Sequence, residues 1–458
     1  MALRENLHSV PFDPSDAKAA LAQLPPAPAV FALYGADAHA EPYIGRTPNL
    51  RGRLERLLQP SAKHPRRLQL AGRVRRIEYR LTGSDFESLL IQFNMLEEIY
   101  GTKCLERMHL RAPAFIRYLG SNAYPRIVVT NRPSQREADW AYGPFASRAA
   151  AERFADEALK LFLLRRCTDD LDPNPTHPGC VYSEMKMCLA PCYQGCTDQR
   201  YGEESAAVER FLATRGESRL VTLKTERDQA SADLEFEAAA ALHAQVQKVE
   251  VVRALAPELV RPLSQLRAVI LQASAQPDEV AVFLFEGGVL RGPQAFSTLG
   301  MRIQNEQSGS SSLFAQPLAI EAVLEEHGTG ISDQGSENRE QGTVASDQGA
   351  GGGTRTESFS GIEAAVAVKL AVPAKPPRGL LEARMEAVLA ALTEPTKAPS
   401  ATVRQGHLAL MKRWYYRPEV RRVGEIIFLD AEGNWPIKAM LRGAGRVVAK
   451  TLGASQKA

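Results

Sequence analysis

The chain has 458 residues, 44% of them hydrophobic, and a net charge of only +3. That length supports more than one buried core, so two to four domains are expected, and so small a net charge selects no partner class by itself. Neither the N-terminal residues nor any later stretch forms an apolar run of membrane-spanning length, which excludes a helical membrane protein and points to a cytoplasmic one.

In chain order, residues 1–23 read as a leader with one short helix. Ala29–Tyr34 is an expected strand, with a turn from Gly35 to Glu41. Pro42 to Arg53 then reads as a strand end, a sharp turn at Gly45 and the start of a helix whose Leu50, Leu54, Leu57 and Leu58 share one face. This order places Tyr43 and Arg53 toward a shared cleft. A phenol can relay a proton and a guanidinium can hold a phosphate with a planar fork, so the pair suits phosphodiester chemistry. From Arg46 to Arg80 there are eleven Lys or Arg against two Glu. Such an excess favours a phosphate backbone, with Arg51, Arg56, Arg73, Arg75 and Arg76 as candidate DNA contacts; a merely solvated basic face is the alternative. Val74–Leu81 is a further strand, and Asp85–Tyr100 a helix with Asp85 placed to cap it. Residues 24–104 thus form a small α/β domain.

Residues 105–200 are expected as a linker and cysteine-rich region, with a strand at Ile127–Thr130, a turn at Tyr142–Phe145 and a helix at Ala149–Leu163. Cys167, Cys180, Cys188 and Cys192 follow with the spacing C-x12-C-x7-C-x3-C, and Cys196 is spare. In a reducing compartment, clustered cysteines point to a metal or cluster rather than to disulfides, and this spacing fits either four-thiolate iron–sulfur or zinc. Residues 203–252 are almost wholly helical, broken at Gly216 and near Asp233. Leu220, Leu223 and Ala230 line one helix, and Phe236, Ala239, Leu242, Val246 and Val249 the next. Two such stripes predict an antiparallel hairpin that buries its seam on itself or on a like hairpin. A mixed α/β region spans 266–305 plus 362–395: strands at Val269–Leu271 and Val280–Phe285, a Gly287–Gly288 hairpin turn, a strand at Ala364–Val372 and a helix at Leu380–Leu392. Between its halves, residues 308–360 are polar and Gly/Ser/Gln-rich with a repeated Ser-Asp-Gln-Gly, the composition of a disordered insertion, broken by a short helical pattern at Ile320–Glu326. Residues 404–458 interleave basic and aromatic side chains around Lys412–Arg417, which suits either stacking on bases or an aromatic core edge with charged flanks.

With these parts in order, the chain resembles the UvrC family, the incision subunit of bacterial nucleotide excision repair. Three motifs carry the resemblance, over roughly residues 24–300. The first is a GIY-YIG nuclease pattern, Ala29-Val30-Phe31 and Tyr43-Ile44-Gly45 followed by Arg53. The second is Tyr142-Gly143-Pro144-Phe145 followed by the four cysteines. The third is Leu234-Glu235-Phe236-Glu237-Ala238-Ala239-Ala240, similar to the UVR motif.

The resemblance implies an α+β multidomain protein: GIY-YIG domain, cysteine-rich region, UVR hairpin (217–252), a short mixed α/β remnant, the insertion and a basic tail. It implies catalytic roles for Tyr43, Arg46 and Arg53, a [4Fe-4S] cluster on Cys167, Cys180, Cys188 and Cys192, and a UvrB-like partner on Leu234, Phe236, Ala239, Leu242 and Val246. DNA is the implied substrate. Three positions depart from the pattern. The first-motif tyrosine is Phe31, the metal-binding glutamate falls on Gln92, and the asparagine that usually follows falls near Cys104. A hard divalent ion leans on a carboxylate, so Mg2+ or Mn2+ at this site would lack its grip. Tyr34 points to the opposite strand face from Phe31, and Glu87 and Glu97 lie about 140° off the face of Gln92. The expected roles are therefore a single incision of damaged DNA or, in its place, a nuclease-impaired DNA- and UvrB-binding module. An RNase H-like second nuclease domain, typical of full-length members, is not expected in residues 301–458.

Overall fold

The computed structural model describes residues 7–37, 39–59, 70, 72–132, 139–168, 171–301, 378–394 and 398–455. The expected insertion at 308–360, the helix at Ile320–Glu326 and the strand at Ala364–Val372 lie outside the described residues.

The N-terminal lobe comprises β1 (His8–Pro11), α1 (Ala17–Ala22), β2 (Ala29–Gly35), β3 (Tyr43–Thr47), α2 (Leu50–Leu58), β4 (Val74–Leu81), α3 (Asp85–Tyr100) and α4 (Cys104–Arg107). Its sheet has the order β1-β4-β2-β3, all antiparallel. Alternation along β2 sends its residues to two faces. Ala29, Phe31 and Leu33 meet the leucines of α1 and α2, while Val30 and Ala32 meet Ile91 and Met95 of α3. Helix α2 starts where the Asn49 side chain accepts from the Gly52 amide at 2.9 Å. The cap of α3 is Ser84, whose hydroxyl accepts from the Glu87 amide at 3.1 Å, so Asp85 is not the cap expected of it.

Residues expected as a linker form a second folded lobe. It contains β5 (Ala114–Leu119), β6 (Arg126–Thr130), β7 (Asp139–Phe145), α5 (Arg148–Leu159), α6 (Val181–Glu184), α7 (Asp198–Ala213), α8 (Glu217–Ala232), α9 (Phe236–Ala254) and β8 (Arg261–Pro262). The sheet order is β6-β5-β7-β8. Tyr142–Phe145, expected as a turn, is the end of β7. Gly143 is extended there, and a Cβ on it would lie 2.7 Å from the Phe115 ring, so a glycine lets the strands approach. Phe145, Phe154 and Phe211 fill the core beneath.

Helices α8 and α9 are the predicted hairpin, joined by a turn in which Leu234 has φ +63°. The seam is buried at its base by Leu220, Leu223, Val246, Val249 and Val252, and nearer the tip by Ala230. Phe236, expected in the seam, is 66% exposed, and Leu234 is 72% exposed. The physical reason is reach: the hairpin's distal turn extends beyond the lobe, with nothing for Phe236 to pack on among the described residues.

The third lobe corrects the reading of residues 404–458 as a separate basic tail. It consists of β9 (Arg267–Ala273), β10 (Glu279–Glu286), β11 (Val289–Ser297), α10 (Arg378–Thr393), α11 (Ala401–Tyr415), β12 (Glu425–Phe428) and α12 (Ile437–Ser455). The tail supplies β12, which pairs antiparallel with β9 and completes a sheet of order β11-β10-β9-β12. Strands β9 and β10 are near-continuous apolar runs because both faces are covered. Val269, Leu271, Val280 and Val282 pack on α10 and α12; Ile270, Phe283 and Phe285 pack on α11 and on α3 of the first lobe. Trp414 is 2% exposed and sits against Phe86, with ring centroids 5.3 Å apart, so this aromatic cluster is core rather than a stacking platform.

Candidate nucleic-acid interface and thiol pocket

Register decides which side chains of the first lobe meet. Phe31 pairs with Gly45 across β2 and β3, and Leu33 with Tyr43. Phe31 and Tyr43 therefore share the α2 face, their ring centroids 6.1 Å apart. A Cβ on Gly45 would lie 2.8 Å from the Phe31 ring, so this glycine makes room for that ring. Arg53 projects from α2 onto the same face, and its Nη2 donates toward Tyr43 Oη at 3.5 Å, the outer limit of a hydrogen bond. Phenol and guanidinium thus stand side by side as the sequence led one to expect.

Arg46 does not join them. It pairs with Val30 in the register and so faces α3. There it forms an ion pair with Asp85, and Arg417, from the loop after α11, reaches the other carboxylate oxygen at 2.7 Å. Burial raises the cost of charge on Asp85, but two guanidinium groups outweigh it and hold its carboxyl below the usual carboxylate range. Arg417 was hidden from sequence reasoning because its segment was read as a tail. A helical stripe at Leu408, Met411 and Tyr415 could have revealed the packed helix that positions it.

Among the described residues no carboxylate hydrogen-bonds or ion-pairs with Tyr43 or Arg53, the place the family pattern gives to a glutamate. Gln92 is half-buried on α3. Glu87 is 5% exposed, accepts from the Gly83 amide at 2.9 Å, and burial pushes its carboxyl up. Tyr34 lies on the α3 face beneath the Arg76 guanidinium, 4.3 Å from its ring centroid, so it does not replace the hydroxyl missing at Phe31. Cys104 is fully buried in the core shared with the third lobe, where it is hydrophobic filling. Among the described residues no group of three or more His, Cys, Asp or Glu is arranged to hold a metal ion. With an amide at Gln92 and no hydroxyl at Phe31, these residues do not fit a divalent ion.

The arginines chosen as DNA contacts do not form one stripe. Arg51 Nε donates to Leu24 O at 2.7 Å and Arg56 Nε to Gly52 O at 2.8 Å. Arg73 and Arg75 are exposed at the start of β4, where Arg75 Nη1 donates to Val74 O at 2.8 Å. Arg76 is the next residue and points to the opposite face.

The four cysteines expected to bind a metal lie near one another, with Cys167 and Cys188 closest to Tyr201. Cys188 is pushed up to about 11, chiefly by burial, with further contributions from Cys167, Cys180 and Cys192; its sulfur accepts from the Ala190 amide at 3.3 Å. Cys196 stands apart, coupled to Cys192 and Asp198. Left-handed residues at Lys186, Ala190 and Gln194 wrap the chain tightly around the thiols. The donor set fits a tetrathiolate group.

The partner residues divide. Leu234 and Phe236 are exposed at the hairpin's tip, Ala239 and Leu242 are partly covered, and Val246 is 3% exposed and belongs to the lobe's own core.

Residues 115–211, which hold β5 to α7, match the model of the UvrC/Cho excinuclease middle domain. The UvrABC system protein C of Alcanivorax borkumensis is 28% identical over 211 residues, covering 46% of this chain and 34% of that protein. The protein of the same name from Francisella tularensis subsp. holarctica is 26% identical over 271 residues, covering 59% and 42% respectively. The chain thus spans between a third and a half of the curated relatives' length. No solved structure gives a significant match.

Proposed function

From the premise that this chain is related to the UvrC family through its middle lobe, we propose that it is a DNA-repair subunit of the nucleotide-excision type. The observation that carries the reading is the middle-domain match, lying between a lobe with a Tyr43–Arg53 pair and a hairpin with an apolar tip. DNA is held by the scattered arginines of the first lobe. A UvrB-like partner docks on Leu234 and Phe236, with Ala239 and Leu242 at the rim. Cys167, Cys180, Cys188 and Cys192 would hold a [4Fe-4S] cluster or, in its place, zinc. Either would cross-brace the loops of the middle lobe, and a cluster would add one-electron chemistry.

Incision is the part of the reading that Gln92 and Phe31 weigh against. The neutral amide and the missing hydroxyl favour a second version, in which the subunit binds and recruits without cutting. A supercoiled-plasmid assay with magnesium or manganese distinguishes the two. Nicking that disappears in Arg53→Ala assigns the cutting role. Binding without nicking assigns the recruiting role, and metal-dependent nicking gained by Gln92→Glu would trace the loss to one carboxylate. A chain that neither binds duplex DNA nor captures a UvrB-like protein overturns the proposal. Iron and zinc analysis with an anaerobic absorption spectrum decides the thiol pocket.

A further inference from the structure

We propose that Arg215, Arg253 and Arg261 form a binding site for a phosphate group at the base of the helical hairpin. The three come from separate elements: the turn between α7 and α8, the last turn of α9, and β8. Arg215 and Arg253 stand at Tyr142, which is 1% exposed, and Arg261 lies on β8, the strand that pairs with Tyr142 and Gly143. Tyr142, Arg215 and Arg253 line a small, partly enclosed cavity of about 30 Å³, walled on its apolar side by Phe154, Phe211 and Ala256. A space of that size holds a couple of waters or the oxygens of a small oxyanion, and it is too small for a nucleoside.

The charge balance favours an anion. Glu217 engages Arg253 at 2.8 Å and Glu258 engages Arg261 at 3.1 Å. Arg215 has no carboxylate partner among the described residues and stands beside the phenol of Tyr142, which burial pushes up to about 12, so the phenol is neutral and supplies no counter-charge. Arg215 Nε is buried with no hydrogen-bond partner. A buried guanidinium N–H without an acceptor is costly, and one retained in a native fold calls for a missing partner. Its backbone is held at φ +52°, in the left-handed region, with Gly216 following at +83°. Arg215 also presses on its neighbour, since its charge and burial together lower the pKa of Arg261. A tetrahedral oxyanion accepting from several guanidinium forks between apolar walls satisfies the unpaired N–H and relieves the repulsion.

The test uses the full chain and inorganic phosphate, with chloride at matched ionic strength as control. Wild type is expected to bind phosphate saturably by calorimetry and to melt at a higher temperature with it. Arg215→Gln is expected to lose about tenfold to a hundredfold in affinity, the loss that follows from one or two charged hydrogen bonds. Arg148→Gln, an exposed arginine on α5, should bind as wild type. If Arg215→Gln does not fold, Arg253→Gln provides the same reading at the other arginine that lines the cavity. No saturable binding above chloride, or equal binding by wild type, Arg215→Gln and Arg253→Gln, overturns the proposal. A duplex-DNA titration then identifies the source of the phosphate. A fall in DNA affinity for Arg215→Gln, with competition by phosphate, assigns the site to the DNA backbone; unchanged DNA affinity with lost phosphate binding assigns it to free phosphate.

Discussion

His407 on α11 offers a test of how the first and third lobes are joined. Its Nδ1 accepts from the Leu290 amide at 3.0 Å, its Nε2 lies 3.3 Å from Asn94 Oδ1 on α3, and its ring meets Phe93 edge-on at 5.3 Å. Burial alone lowers its pKa from 6.5 to about 4, so the ring is neutral at pH 7, accepting at Nδ1 and donating at Nε2. His407→Leu leaves a buried amide without an acceptor, at about 1–3 kcal/mol, and removes an aromatic contact of about 0.5–1.5 kcal/mol, so a loss of about 2–4 kcal/mol is expected. The pH dependence follows with a definite sign. The folded state binds the proton less readily than the unfolded state does. The histidine's contribution is therefore complete above pH 6.5 and is lost as pH falls toward 4, at up to about 1.4 kcal/mol per pH unit. Between pH 7 and pH 5 wild type should lose about 2 kcal/mol from this source. His407→Gln keeps an acceptor and a donor but cannot titrate in this range. Urea melts followed by tryptophan fluorescence at pH 7 and pH 5 measure both. Equal losses in wild type and His407→Gln would refute the assignment, because carboxylates common to both proteins cancel in the comparison.

Asp85→Asn releases the Arg46 and Arg417 guanidinium groups from their carboxylate; duplex-DNA affinity should rise, and the log–log salt slope should steepen by about 1 if one of them gains a phosphate. Leu234→Asp with Phe236→Asp should abolish capture of a UvrB-like protein in a pull-down while shifting stability by no more than about 0.5 kcal/mol, since both side chains are exposed. Cys188→Ser should reduce bound iron or zinc to background, and in metal-stripped wild type the Cys188 thiol, pushed up to about 11, should be alkylated more slowly at pH 8 than an unperturbed thiol.

The first lobe was legible because its signals are local. A continuous apolar run gave β2, alternation gave β4, leucine spacing gave α2, and the Tyr43–Arg53 pairing followed from a strand, a glycine turn and a helix in close succession. Arg46 was misplaced because strand parity was not applied to it: three residues beyond Tyr43, it had to face away. The middle lobe was read as a linker because β5 and β7 are short and their partner β8 comes after the hairpin, more than a hundred residues later than β7 begins. Long-range pairing of that kind leaves no mark in a sequence window. The third lobe was divided because the segment before α10 separates β11 from α11 and β12. Once the chain returns, Lys412–Arg417 reads as charge and aromaticity, and the burial of Trp414 depends on Phe86 and Phe283 contributed from elsewhere.

Helix α3 ties these observations together. Its Ile91 and Met95 close the first lobe's sheet, its Phe86 and Phe93 enter the core built by the third lobe, and its Asp85 receives one arginine from each lobe. A helix held on both faces has little freedom to shift, because moving one face breaks the packing of the other. A metal-dependent nuclease needs its acidic ligand placed to within a fraction of an ångström of the attacking phenol's face. Here α3 is built into two cores on the side of the sheet away from Tyr43, and its position 92 is an amide. The same rigidity suits a scaffold. The Tyr43–Arg53 pair is likewise carried on packed elements, whereas the hairpin tip, with Leu234 and Phe236 exposed, stands clear of any core.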